Sequence, residues 1–534
     1  MGKSGTDGRS PVVRISSDVP WGREPGALTA ARDAADTVAV VRTGPTGITE
    51  LEPLVLVTAG DRTWFYADPD PSTVRSIVAD AESGELATGG VDGDAHGQDI
   101  PADGPDHLGD GPDILPDGAD GVVEHDRDVS TLPVPTDSLL SVGRRRILGP
   151  CGWVDPLDPS DHDFVSTSRG AGVAADIGLL GRGRGDATED EAVTDAWERV
   201  RETDGDPVLV VNANDADRRT RADRILLAGA PLSVLDGVAA VAEYVGADDA
   251  VIYVPESDTG LQRHLERAIE AADTELSVVP QLVAGPDEYR AGGPTAALEA
   301  MEGADRIEPR IQPPSPAEYG LYGRPTVVHT PRTFAQVQYA IRDPDAFDPA
   351  AADPGTRLVT VTGDVTDRAT VELDSTGSIG AVREAVRMTG PFKMACVGGV
   401  LGGITRDLDV APTAQSLAAA GLGTDGVVEL LSDERCAVAT AGERARFAAA
   451  ENSGRCVPGR EGTQQLTELL REVYRGSFET AKIRELGRVM QRTSNCKTGA
   501  HAPRPVVTAI DQFEPEFKAH ANGRCPSGTC TEKL

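Results

Sequence analysis

The sequence predicts an α/β protein of several domains, and three observations predict it. The chain has 534 residues, well beyond the roughly 250–300 at which a single core stops growing. From 138 to about 340, short apolar runs rich in Val, Ile and Leu alternate with stretches whose apolar residues recur at helical spacing. That alternation is the signature of βαβ units and a largely parallel sheet. A Gly-, Asp- and Pro-rich stretch over 86–137 has almost no periodicity and separates this region from a smaller α/β unit over 11–85.

The elements follow in order. Residues 1–10 read as disordered. PVVRI, VAVVR, PLVLV and RTWFYA are short strands; GALTAARDAADT is a helix between the first two, and TGPTG is a turn. PSTVRSIVADAESG (71–84) is a helix whose start carries Pro71 and Ser72 as a cap pair. Residues 86–137 are an acidic, self-repelling flexible linker; its His96, His107 and His125 read as solvated rather than metal-binding. Strands are expected at 207–214, 249–255 and 276–285, and helices at 222–247 and 259–274. RLVTVTGDV and ATVELD are paired strands followed by the helix IGAVREAVRM, an α+β module of β-grasp character ending near 410. Residues 411–518 read as a helical bundle, and 519–534 as a polar tail.

Composition excludes several functions. The formal net charge of −35 argues against DNA or RNA as a partner, since phosphate neutralisation needs clustered Lys and Arg. Self-repulsion of that size is relieved in molar salt, where the Debye length is about 3 Å, so a salt-rich cytoplasm is the expected setting. No window approaches the roughly 20 apolar residues of a membrane span, and MGKSGTDGRS has no signal-peptide core. Cytoplasmic residence without direct membrane insertion is the expectation.

Seven cysteines, an odd number in a large chain, do not suggest a disulfide framework. Cys151, Cys396 and Cys436 read as small buried hydrophobes. Cys525 and Cys530 form a C-x4-C pair that a disulfide, a metal or two free thiols would equally explain, with free thiols favoured.

Several short segments, in one order, resemble a known family. GLYGRP (320–325), ALEAMEG (297–303), TGDV (362–365), GLGTDGVVEL (421–430), REGT (460–463) and CPSGTC (525–530) resemble segments of the NADH-binding, FMN- and iron–sulfur-containing F-type flavoprotein of NADH:quinone oxidoreductase (complex I) and of NAD-linked hydrogenases. The resemblance covers about 138–534, and 11–85 more weakly. It implies a thioredoxin-like N-terminal module over 11–85 and an FMN/NADH-binding α/β domain over 138–340. A β-grasp-like (SLBB-type) domain over 341–410 and an iron–sulfur-type helical bundle over 411–518 would follow.

The same resemblance supplies site residues. The family's FMN loop corresponds to GLLGRGRG, where Gly181, Arg182, Gly183 and Gly185 remain; read alone, that run is a weak signal and reads first as a solvent-exposed turn. Asp186, Glu189, Asp190 and Glu191 follow it and would repel a phosphate. A second signature corresponds to NANDADRRTRADR, with Asn212 matching and Asn214 and Asp215 standing for Asp and Glu. The acidic residues of a third are replaced by Gly293 and Pro294, and a paired asparagine motif by His329 and Thr330. The family's [4Fe–4S] cluster loop corresponds to NSGRCVPGREGT, where Ser453 and Gly459 stand at two cysteine places; Cys456, with Cys496 farther on, is the remaining ligand set. The [2Fe–2S] turn of the N-terminal module corresponds to TGPTGIT, with Pro45 and Thr49 at the cysteine places, so no 2Fe–2S cluster is expected.

Two functions follow. The first is an NADH dehydrogenase-like subunit passing electrons from NADH through FMN to an iron–sulfur centre, partnered by other subunits of a redox complex. The second is a non-catalytic structural or regulatory paralogue in such a complex. Whether the chain is an enzyme in its own right is left open by these replacements.

Overall fold

The computed structural model describes residues 10–17, 24–86, 121–126, 128–165, 170–184, 190–215 and 217–530. Three sheets organise them. The first contains β1 (Val12–Ser16), β2 (Ala39–Thr43), β3 (Leu54–Ala59), β4 (Arg62–Ala67) and β5 (Val122–Glu124), in the order β2-β1-β3-β4-β5. β1 and β2 are parallel and the remaining pairs antiparallel. Val13 and Ile15 alternate along β1 and bury against Leu28, Ala31, Val74 and Val78 of the helices Gly26–Ala34 and Pro71–Ser83. The second helix is capped by Asp70, one residue before the expected pair. Its carboxylate accepts from the amides of Ser72 and Thr73 at 2.8 and 2.9 Å.

β5 lies inside the expected linker. Residues 87–120, with His96 and His107, are outside the described residues, but 122–124 add a strand to the edge of β4. His125 beside it bonds Thr63 Oγ1 at 2.8 Å and packs edge-on to Trp153. The turn TGPTG is buried rather than free. Gly47 has φ +100°, and a Cβ there would stand 2.6 Å from Thr370 O. The N-terminal module therefore docks by this turn on the third sheet.

The second sheet is all parallel, in the order β8-β7-β6-β9: β6 (Val208–Asn212), β7 (Asp249–Pro255), β8 (Gln281–Gly285) and β9 (Thr326–His329). Every residue of β6 is buried, as expected of a strand covered on both faces. The single helix expected over 222–247 is two, Ala222–Gly229 and Pro231–Val245, bent by 98°. Pro231 cannot donate to the preceding turn and so starts a new helix. Gly237 lets that helix approach the helix Pro331–Arg342, where a Cβ would fall 2.1 Å from Phe334 O. Among the described residues no single helix is long and apolar enough to cross a membrane; the bent pair passes by length and composition only. The strand expected over 276–285 shortens to β8.

The third sheet runs β11-β10-β14-β12-β13: β10 (Arg357–Gly363), β11 (Ala369–Leu373), β12 (Phe392–Val397), β13 (Gly403–Thr405) and β14 (Val427–Ser432). β14 lies beyond residue 410, where the expected module ended, yet it is the central strand, parallel to β10 and antiparallel to β12. The expected helix over 379–388 is a 3-10 stretch, Ile379–Ala385. Beyond β14 the helices Ala437–Glu451, Thr463–Tyr474, Thr480–Thr493 and Arg504–Ala521 pack around Leu466, Leu470, Ile483, Val506, Ile510, Phe513 and Phe517. The architecture is mixed α/β with a helical bundle at its C-terminal side.

Candidate functional site

Three segments converge at the carboxyl ends of β6 and β9. Asn212 ends β6, and its Nδ2 donates to Gly292 O at 2.9 Å, tying it to the loop before the helix Pro294–Met301. The glycine loop joins from the other side. Gly181 N donates to Glu191 O at 2.8 Å, and a Cβ on Gly181 would sit 3.5 Å from His329 Nδ1. Crevices at the carboxyl ends of parallel strands are where open α/β sheets bind ligands. GLYGRP lies at the opposite end, because Pro325 O accepts from Val208 N where β6 begins.

The loop is not a solvent-exposed turn. Arg182 is 3% exposed. Its Nη1 donates to Asp190 Oδ2 and Asp353 Oδ2, both at 3.1 Å, its Nη2 donates to Asp353 Oδ1, and its Nε donates to Thr356 O at 3.0 Å. Arg357 Nη2 reaches the same Asp190 oxygen at 2.6 Å. Asp190 thus neutralises a pair of arginines instead of repelling a phosphate, and the Arg182 guanidinium clamps the central domain to the third sheet instead of facing a ligand. Removing Arg182 would leave two buried carboxylates to share the single charge of Arg357, a destabilising change. Arg184 is also buried, donating to Tyr289 O at 2.6 Å with its guanidinium 4.1 Å over the Tyr289 ring. Gly183 is partly exposed between them. Gly185, with Asp186 and Glu189, lies outside the described residues.

The loop after β6 carries acceptors without donors. Asn212 Oδ1, Asp215 Oδ2, Asp217 Oδ2 and Thr220 Oγ1 are sequestered and make no hydrogen bond among the described residues. Such groups cost free energy unless a ligand satisfies them. Burial, with Asp223, Asp425 and Asp217 nearby, pushes the Asp215 carboxyl well above the carboxylate range against the pull of Arg332. Arg332 itself is held by a bidentate pair with Asp223 at 3.1 and 3.0 Å. Asn214 donates to Pro286 O at 3.0 Å. His329 receives the Trp197 Nε1 hydrogen at Nε2, 3.0 Å away, so its proton sits on Nδ1, toward Gly181. Burial lowers its pKa to about 4, which keeps the ring neutral. Arg332 is not legible in the sequence as a site residue, because only the parallel pairing of β6 with β9 brings it to Asp223.

The unsatisfied acceptors of this crevice fit the ring and ribityl part of a flavin, which offers N–H and O–H donors.

The bundle carries two separate cysteine groups. Cys456 and Cys496 lie with Sγ atoms 4.0 Å apart, each accepting a backbone N–H: Gly459 to Cys456 at 3.3 Å and Gly499 to Cys496 at 3.4 Å. Burial pushes the Cys496 thiol up to about 11. Burial also acts on Cys456, but amide donors outweigh it and hold that thiol below its usual range. A Cβ at Gly459 would sit 3.1 and 3.8 Å from the two sulfurs, so position 459 faces the site. Ser453 is buried beside the loop. The donor set here is two thiolates and one hydroxyl, short of the four thiolates of an ordinary cube.

The second group is Cys436, His520, Cys525 and Cys530, whose ligand atoms all lie within 4.8 Å of one another. Cys436 is buried, as expected, in the bundle core, and Cys525 and Cys530 are free thiols, as favoured from the sequence; the fold brings all three to His520. Cys151 and Cys396 are buried, and burial pushes their thiols up to about 12 and 11.

Comparison with known proteins fits this geometry. A family model described as the Nuo51 FMN-binding domain matches residues 175–339. Another, the NADH-ubiquinone oxidoreductase-F iron–sulfur binding region, matches 439–520. The second F-type subunit of NADH-quinone oxidoreductase from Rhizobium meliloti (strain 1021) is 31% identical over 375 residues, covering 65% of this chain and 87% of that protein. The HndC subunit of the NADP-reducing hydrogenase of Solidesulfovibrio fructosivorans is 28% identical over 426 residues, covering 72% and 85%. In fold, the chain is similar to the crystal structure of an NAD+-reducing [NiFe]-hydrogenase in the H2-reduced state. The TM-score is 0.60 at 22% identity, over 96% of this chain and 84% of that one.

Proposed function

Because this chain belongs to the family of F-type subunits of NADH-quinone oxidoreductase, we propose that it is an NADH-binding FMN flavoprotein passing electrons towards an iron–sulfur centre within a larger redox complex. One observation carries the reading. Unsatisfied acceptors, Asn212 Oδ1 foremost, stand at the end of β6 beside the glycine loop, inside the segment that matches an FMN-binding domain. Bound FMN supplies the change from two-electron hydride chemistry to single-electron transfer.

The chain's own residues bind and orient. Asn212 is fixed through Nδ2, so Oδ1 is left to accept from the ring or ribityl chain. His329, neutral and with Nε2 engaged by Trp197, donates from Nδ1 beside Gly181. Asp215, whose carboxyl is pushed up by burial, presents Oδ2 as a further unsatisfied atom in the same loop. Arg182, Asp190, Asp353 and Arg357 fix the loop's position. Cys456 and Cys496 would supply two thiolates to a cluster, with Ser453 at a further ligand place. Two thiolates remain short of an ordinary cube.

The family assignment favours this reading over a non-catalytic paralogue. In finer terms, the N-terminal unit with order β2-β1-β3-β4 is a thioredoxin-like docking module, and the third sheet is a β-grasp-like (SLBB-type) domain. The charge of −35 suits a salt-rich cytoplasm. Other subunits of a redox complex are the partners, with NADH as substrate.

The test is anaerobic purification in molar KCl with the visible spectrum, acid-released flavin and iron measured together. Flavin near one per chain is expected, bleaching on addition of NADH. A colourless, flavin-free and iron-free folded protein would sink the proposal.

A further inference from the structure

The depleted cysteine pair of the bundle has a geometry of its own. Cys456 precedes the single π-helical turn Pro458–Gly462, and Cys496 precedes the short helix Lys497–His501. The two stand 40 residues apart in the chain, yet their sulfurs lie 4.0 Å apart. Two glycines permit that approach. A Cβ on Gly459 would stand 3.1 Å from Cys456 Sγ and 3.8 Å from Cys496 Sγ. A Cβ on Gly499 would stand 3.2 Å from Gly459 Cα and 3.3 Å from Cys496 Sγ. The two backbones therefore touch beside the sulfurs, and neither position puts a side chain between them. The pair sits just beneath the surface: Cys456 is 5% and Cys496 9% exposed, while the neighbouring Val457 is 61% exposed.

We propose that Cys456 and Cys496 are a redox-sensitive modification site: a low-molecular-weight disulfide oxidises them to a reversible intramolecular disulfide that ties the loop 452–462 to the segment 494–499. A disulfide needs its sulfurs about 2.05 Å apart. From 4.0 Å, each sulfur has about an ångström to move, which a small rotation about Cα–Cβ supplies. The backbone on both sides is already placed for it. Gly459 N donates to Cys456 Sγ at 3.3 Å and Gly499 N to Cys496 Sγ at 3.4 Å, so each sulfur is oriented by its own loop. Gly454 N donates to Asn452 Oδ1 at 2.9 Å, and Arg455 N to Ser453 Oγ at 3.4 Å. Arg460 Nη1 donates to Gly454 O at 2.7 Å. These contacts come from the loop's own groups and hold it against the pair.

The exchange runs in two steps. One cysteine, as its thiolate, attacks a sulfur of the small disulfide, whose S–S bond breaks and releases one small thiolate. The other cysteine, deprotonated in turn, attacks the protein sulfur of the mixed disulfide and releases the second. In sum, two protein thiols and one small disulfide give one protein disulfide and two small thiols. The protein loses two electrons and the small disulfide gains them; an excess of small thiol runs the exchange back. A sulfur tied in a disulfide has no thiolate charge to give to iron, so the same two atoms either ligate metal or close on each other. The switch needs neither FMN nor NADH and stands apart from the flavin reading.

The experiment treats the full-length chain anaerobically with an iron chelator, then equilibrates it with reduced and oxidised glutathione in varied ratio. Free thiols are alkylated and the chain is cut with trypsin, which yields the Cys456 peptide CVPGR and the Cys496 peptide TSNCK. Expected by mass spectrometry is a cross-linked CVPGR–TSNCK species that becomes the main form at the oxidising end and is lost at the reducing end. The oxidised chain should melt about 5 °C above the reduced one. That difference should be absent from Cys496→Ser, which keeps the tail cysteines. Both peptides alkylated at every ratio overturn the inference, and so does each peptide carrying its own glutathione. A melting shift that Cys496→Ser retains in full belongs to other cysteines and overturns the tie between the two segments. Should Cys496→Ser not fold, the cross-link in the wild type decides alone.

Discussion

The two ends of the helix Ala437–Glu451 carry opposite lessons. At its C-terminal end the loop around Cys456 is readable as a cluster motif, yet the fold assembles only two sulfurs there, 4.0 Å apart, with Gly459 where a third would point. At its N-terminal end Cys436 belongs to no readable motif, yet four metal-type donors converge. A motif in sequence records what kind of loop is present. A ligand set depends on how many donors the chain brings to one point.

The largest effect should come from breaking the complete set. Cys436→Ser is expected to lower the melting temperature by about 5 °C, because it breaks the buried contact of Cys436 Sγ with His520 that joins the helix to the tail. Differential scanning calorimetry reads this, and an unchanged transition would make the two ends equivalent. Next is completing the incomplete set. Gly459→Cys with Ser453→Cys restores thiols at the two replaced cysteine places of the loop, since neither residue needs a left-handed backbone. Anaerobic reconstitution should then raise bound iron towards about four per chain, measured with the brown absorbance. No gain over wild type would mean that donor count is not what limits this end.

Cys496→Ala sharpens the contrast from the other side. It removes one thiolate from the depleted end and should lower retained iron, yet cost only about 1–2 kcal/mol as a small buried side chain. The smallest effect lies outside both ends. His329 is kept neutral by burial, with its pKa down at about 4 against an ordinary 6.5. An unfolded chain binds that proton more readily, so this contribution is complete above about 6.5 and is lost as pH falls from there to about 4. His329→Asn should flatten the corresponding slope of melting temperature against pH and weaken flavin retention modestly. A slope unchanged in the variant would assign the acid sensitivity elsewhere, with the buried His264, lowered to about 3, the next group to test.

The sequence alone carried the architecture far, because its signals are local. Strand and helix periodicity placed Val208–Asn212, Asp249–Pro255 and Thr259–Ala272, and the short segments from TGDV to REGT pointed to the family. Where local signals misled, a neighbour decided. Val427–Ser432 reads as the edge of a helical region, but backbone pairing with Arg357–Gly363 and Phe392–Val397 makes it the middle of a sheet. Pro231 broke a helix that periodicity ran together. In the glycine loop, the family resemblance pointed to Gly181 and Arg182, while the fate of the arginine was set by Asp353, 171 residues away. The tail held a signal that goes unread without a fold: His520, Cys525 and Cys530 form H-x4-C-x4-C, but their fourth partner stands 84 residues before His520. Periodicity and capping are properties of neighbouring residues, so the sequence determines them. Charge pairing and ligand convergence depend on distances through space, and only the packed tertiary structure decides those.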